Sequence, residues 1–138
     1  MTVNASTIVL DEPACWEALG WEQVGRLGIA IKNRPDIFPV NYVLDRHSIV
    51  FRTAEGTKLA AAVLGTAVAF ETDGIVDGDA WSVVVKGEAV EIERPDELFA
   101  ALDLPLYPWN ASPKHRFVRI VPDEITGRRF EICDPVPA

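Results

Sequence analysis

From Gly25 onward the chain is written largely in period two. In Gly25–Lys32, Leu27, Ile29 and Ile31 occupy one phase, and Arg26, Gly28, Ala30 and Lys32 the other. Side chains alternate across a strand, so this run describes a strand with one buried face. The spacing predicts further strands at Phe38–Leu44, Ser48–Thr53, Thr66–Thr72, Trp81–Glu93, Arg116–Val121 and Ile125–Ile132. Turn-forming stretches separate them: Lys32–Asp36 (KNRPD), a tight hairpin at Asp45, Arg46 and His47, and the acidic, glycine-containing Asp73–Ala80. Six or seven mostly antiparallel strands with short helices between them imply a mainly β fold, closed or nearly closed into a barrel. The alternation excludes a parallel sheet buried on both faces.

Two details sharpen this. Gly28 and Ala30 are small, so something large can approach their face. In Trp81–Glu93 the apolar phase is odd at Trp81, Val83 and Val85, then even at Val90 and Ile92. A reversal beside Gly87 predicts a β-bulge or sharp bend, as a barrel needs at its corners. Helices are expected at Glu12–Gly20, at Gly56–Leu64 with Thr57 as N-cap, and at Glu97–Leu102. Asp103–Pro113 reads as a proline-rich loop carrying Tyr107 and Trp109.

The 138 residues suit one domain over 1–138, and 49% apolar residues suffice for a core without disulfides. A net charge of −8 argues against nucleic-acid binding, which draws its affinity from a basic face. No apolar run is long enough for a membrane span, and the N-terminus lacks the pattern of a signal peptide. With two cysteines, Cys15 and Cys133, near opposite ends, a cytoplasmic protein is expected. No G-x-G-x-x-G, Walker A or C-x-x-C pattern is present, which excludes Rossmann, P-loop and common zinc sites.

Three segments carry chemistry. Phe51–Leu59 (FRTAEGTKL) ends a strand in Arg52 and Thr53 and starts a helix at Thr57 and Lys58. Two cations, two hydroxyls and a helix N-terminus suit a phosphate; the same residues also suit an ordinary capped helix with solvated basic side chains. In Phe38–Leu44, Asn41 interrupts an apolar strand beside Tyr42 and needs polar partners, which a heterocycle or a neighbouring loop can supply. In Gly78–Glu88, Trp81 can stack on a flat ring or fill the core, and Ser82 can bond a ring edge. Lys114, Arg116, Arg119, Arg128 and Arg129 form a basic stretch, fit for an anion or for pairing with carboxylates. His47, His115 and the carboxylates Glu88, Glu91 and Glu93 form no nucleophile–base arrangement, so any reactivity is expected from a cofactor.

In this order the segments resemble the pyridoxamine-phosphate-oxidase-like flavin-binding split-barrel family, in a bacterial, actinobacterial-looking branch. The likeness runs from about Cys15 to Phe130 through GRLGIAI, PVNYVL, IVFRTAEGTKL, VAFETD, WSVVVKGEA and ITGRR. It implies an antiparallel split β-barrel that binds flavin mononucleotide (FMN) in a groove between two subunits, hence a homodimer acting on a small molecule. Val40, Asn41 and Tyr42 then lie along the isoalloxazine, Arg52, Thr53, Thr57 and Lys58 meet the phosphate, and Ser82 reaches the ring. Trp81, Trp109 and Ile125–Arg129 are expected from the partner. The arginine–histidine element that holds pyridoxal phosphate in the oxidases proper is not found here, which removes the support for vitamin B6 oxidation. Related nitroimidazole-resistance proteins often carry histidine where this chain has Arg52. Other relatives bind a deazaflavin, so a deazaflavin-dependent reductase and a non-enzymatic flavin or ligand carrier are the alternatives to an FMN-dependent oxidoreductase.

Overall fold

The computed structural model describes residues 7–54, 63, 65–94, 96–97 and 115–132. Among these residues seven strands and one helix are delimited, in the order β1 (Ile8–Leu10), α1 (Glu12–Leu19), β2 (Val24–Ile31), β3 (Arg34–Leu44), β4 (Ile49–Ala54), β5 (Ala67–Val76), β6 (Asp79–Glu91) and β7 (His115–Glu131). All pairings are antiparallel, in the order β1-β7-β4-β3-β2-β5-β6, and a β6–β7 ladder closes the sheet on itself. Six strands therefore make the barrel. β1 is an added edge, paired with β7 at Gly127, Arg128 and Arg129. Along β7 the neighbour on one side changes: β4 pairs with His115–Ile120, β1 with the far end. The barrel is split there.

Tight hairpins set the register. Lys32 and Asn33, Arg46 and His47, and Asp77 and Gly78 all have positive φ, the signature of two-residue type I′ turns. Two predicted turns are therefore too long. Arg34–Asp36 belongs to β3, where Pro35 pairs with Ala30 and Pro39 with Arg26. Proline is tolerated because this half of β3 has only β2 as a neighbour; pairing with β4 begins at Tyr42. Likewise Asp73–Val76 belongs to β5 and Asp79–Ala80 to β6.

The bulge exists, but on the partner strand. Lys86 pairs with Glu124 and Gly87 with Pro122, so the extra residue is Asp123 of β7. A Cβ at position 87 would stand 2.0 Å from the Val121 carbonyl oxygen, so the strands meet there through glycine alone. The β6 phase does not reverse at Gly87, because Ala89 stays in the core with Trp81, Val83 and Val85. The reversal lies in β7. Val118 and Ile120 face the core before the bulge, and Ile125 packs against it afterwards. The two predicted C-terminal strands are thus one bent strand.

The core lies inside the barrel, with Leu27, Phe51, Phe70, Trp81, Val83 and Ile120 among its fully buried members. α1 contributes Cys15, Ala18 and Leu19 to it. Asp11 caps α1 by accepting the Ala14 N–H at 2.9 Å, and Pro13 in the first turn fits where no N–H is needed. β1 was not predicted from the sequence. The predicted helices at 56–64 and 97–102 lie almost wholly outside the described residues. Among the described residues no helix is long and apolar enough to cross a membrane.

Candidate functional site

The end of β4 gathers three of the predicted residues. Alternation along Ile49–Ala54 sends Phe51 and Thr53 to the barrel interior and Val50 and Arg52 to the other face. On that face Val50, Ile92 and Phe117 form a second buried cluster with Val43 against it. The Arg52 guanidinium lies over the Phe117 ring, 4.9 Å from its centroid, which orders the side chain while keeping its charge. Asn41 is half-buried on the same face, one step past the Tyr42–Phe51 pair. Thr53 is only 4% exposed, and its hydroxyl has no hydrogen-bond partner among the described residues. A buried hydroxyl in that state calls for a ligand or water. Because Arg52 and Thr53 point to opposite faces, an anion held by both lies off the strand end. Thr57 and Lys58, which follow in sequence, lie outside the described residues, as do Trp109 and Lys114.

Val40 and Tyr42 face the core. Tyr42 donates its hydroxyl to the Leu19 carbonyl, and its ring meets Phe70 edge-on at 4.8 Å. Burial pushes its phenol up to about 12. A planar ligand on the outer face can therefore meet Val40 and Tyr42 only through their main chain.

Trp81 and Ser82 lie elsewhere. Trp81 is 2% exposed and packs edge-on against Trp21 at 5.4 Å, so it is chiefly a core residue. Ser82 points outward, opposite Arg128 of β7. Both line an open hollow of about 1100 Å³ with Asp73, Ile75, Val84 and Thr126. Its rim is apolar and bare: Val9 is 83% exposed and Ile75 72%. Arg52 pairs with Phe117 and Ser82 with Arg128, so the two groups attach near opposite ends of β7. About eleven residues separate them, roughly 36 Å of strand contour at ~3.3 Å per residue. Arg52 and Ser82 thus attach at different stretches of β7, on either side of the bulge at Asp123.

The basic stretch is largely neutralised. Arg116 pairs with Glu91 at 3.5 Å, Arg119 with Asp45 at 3.0 Å and Arg129 with Asp79 at 2.7 Å. Arg128 is exposed in the hollow and has no ion-pair partner among the described residues. The sequence marked Arg128 only as part of a run. The period-two set Thr126, Arg128 and Phe130 was the signal that the three share the hollow. Arg26 bridges Glu71 at 3.0 Å and Asp73 at 2.9 Å beside it, and burial pushes the Glu71 carboxyl up in spite of that cation. His47 is exposed and stacked on Trp16 at 5.4 Å. Among the described residues no cluster of His, Cys, Asp and Glu could hold a metal ion.

Comparison with known proteins points one way. The sequence matches the family described as Pyridoxamine 5'-phosphate oxidase over residues 11–129. An uncharacterised protein of Mycobacterium tuberculosis is 45% identical over 83 residues, covering 60% of this chain and 76% of its own length. A second from that organism is 30% identical over 130 residues, covering 89% of this chain and 85% of its own. The FAD binding protein from Mycobacterium smegmatis superposes with a TM-score of 0.84 at 38% identity, over 91% of this chain and 100% of that one. A conserved protein of unknown function from Corynebacterium diphtheriae gives 0.77 at 38%, over 91% and 98%. The match over nearly all of the barrel and the closeness of these folds say the same thing: this chain is a member of the pyridoxamine 5'-phosphate oxidase family.

Proposed function

We propose that this protein binds a phosphorylated flavin, FMN in the first instance, between two copies of the chain, and serves as an oxidoreductase for a small molecule. The observation that carries the reading is the buried Thr53 hydroxyl, without a partner among the described residues, one residue after Arg52 at the end of β4. A phosphate fits that chemistry. Thr53 donates a hydrogen bond, Arg52 supplies charge and a planar donor pair, and Thr57 and Lys58 follow within reach in sequence. Asn41, with the main chain of Val40 and Tyr42, borders the ring on the same face.

The separation of Arg52 from Ser82 favours a two-chain site. In this reading Ser82, the edge of Trp81 and Arg128 come from the partner, whose hollow closes over the ring. The exposed Val9 and Ile75 supply apolar area for that contact. A bound flavin supplies hydride or single-electron transfer, and the chain's own residues position it, exclude water and discriminate the acceptor. The FAD-binding relative supports a flavin as the ligand class. A deazaflavin with an acidic tail is less well matched, because Arg119 and Arg129 are already paired with carboxylates.

Fluorescence titration of the purified protein with FMN, FAD, riboflavin and oxidised deazaflavin tests this. FMN or FAD binding at least about tenfold tighter than riboflavin is expected, the scale of one or two charge-assisted hydrogen bonds. The preference should largely disappear in the Arg52→Ala, Lys58→Ala double variant. Equal affinity for riboflavin and FMN in the native protein would remove the phosphate site. A deazaflavin preference would move the protein to the second reading.

A further inference from the structure

We propose that Arg116 is a third cationic contact for the flavin phosphate, set on the interior side of the strand end and governed by Glu91. The inference rests on the flavin reading above and adds a residue to it. In the β4–β7 ladder Thr53 stands directly opposite Arg116, and Arg52 opposite Phe117. Directly opposed residues share a face, with Cβ atoms about 5 Å apart. Arg116 therefore emerges on the same side as the buried Thr53 hydroxyl, and Arg52 on the other. Thr53 is 4% exposed and its hydroxyl lacks a partner among the described residues, so the place beside Arg116 is short of one polar group.

Glu91 accounts for where Arg116 points. It lies opposite Val118, diagonal to Arg116, and its Oε1 is 3.5 Å from the Arg116 Nε. Both side chains are partly buried, at 35% and 23% exposure, so the pair is better sheltered than a surface ion pair. The carboxylate holds the guanidinium on the interior side, at the same level as Thr53. An anion off the end of β4 is then approached by Arg52 from one face and by Arg116 with Thr53 from the other. Glu91 opposes that anion electrostatically. It acts as a positioning residue that also limits how tightly the phosphate is held.

FMN and riboflavin share a ring and differ by the phosphate, so their affinity ratio isolates this contact. In Arg116→Gln the dissociation constant for FMN should rise about tenfold while that for riboflavin stays within about twofold. In Glu91→Gln, which removes a negative charge at nearly constant size, the preference for FMN should rise about threefold. Circular dichroism identifies which variants are folded, and either variant alone decides the matter. An unchanged FMN-to-riboflavin ratio in a folded variant overturns the role of Arg116 while leaving the flavin reading in place. A native protein that does not distinguish FMN from riboflavin removes both.

Discussion

The two ends of β7 do opposite things with the same strand. Near Arg116–Ile120 it runs between β4 and β6, its inward Val118 and Ile120 are fully buried, and its charges are tied to Glu91 and Asp45. Near Thr126–Phe130 it runs between β6 and the three-residue β1, beside a wide, largely apolar hollow with Arg128 exposed. In the proposed function the first end holds a small anion in a fixed place, and the second is covered by a second copy of the chain. A flavin nucleotide needs both a fixed phosphate and a covered ring, and the chain keeps the two provisions apart.

The comparison can be broken at its hinge. Replacing Gly87 by Val places side-chain atoms on the Val121 carbonyl, 2.0 Å from the Cβ position, in a backbone that cannot yield. Loss of more than about 4 kcal/mol, or failure to fold, is expected by chemical denaturation. A stability close to that of the native protein would mean that the two halves of β7 are not coupled through the bulge.

Paired truncations sharpen it. Phe51→Ala at the first end removes a fully buried ring and should cost about 3–5 kcal/mol. Phe130→Ala lines the hollow and should cost under about 1 kcal/mol of chain stability, yet weaken self-association measured by analytical ultracentrifugation. Equal costs, with association untouched, would make the hollow an ordinary surface.

The interior beside the first end also has a pH signature. The Tyr42 phenol is raised from 10.0 to about 12, chiefly by burial. Its contribution is fully present below about pH 10. It is lost as pH rises towards 12, because the unfolded chain ionises first. The loss should amount to roughly 2–3 kcal/mol. Tyr42→Phe should flatten that alkaline slope in thermal melts, at the cost of about 1 kcal/mol at neutral pH from the lost bond to the Leu19 carbonyl. A slope that persists in the variant would assign it to another group. The smallest effect belongs to Ser82→Ala. A two- to fivefold loss in affinity for FMN and riboflavin alike is expected, since Ser82 is assigned to the ring. A loss confined to FMN would put it at the phosphate.

Much of the barrel was legible because period two and turn chemistry are local. Leu27, Ile29, Val83 and Val85 face inward as their phase requires. Errors arose where locality fails. Pro35 looked like a turn residue because a proline in a strand is acceptable only when the neighbouring position is vacant, and vacancy is a property of the whole sheet. The bulge was sensed in β6 but belongs to β7, since a register shift is shared by two strands and the pattern of one cannot say which carries the extra residue. β1 was missed because Ile8–Leu10 is three exposed or half-exposed residues with no alternation to see. At the site, Arg52 and Thr53 stood out through residue type and position at a strand end. Arg116 did not, because its relation to Thr53 exists only in the ladder register.

The extra residue at Asp123 has a consequence for how such a chain can change over generations. β7 behaves as a message with a reading frame, and the frame is set at that point. Substitutions beyond it exchange one side chain at a time. Loss of a single codon there shifts every later residue to the opposite side, sending Arg128 towards the interior and turning Ile125 and Arg129 out. A substitution in the hollow therefore changes one side chain, whereas a change of length between Val121 and Glu124 exchanges the two faces of everything that follows.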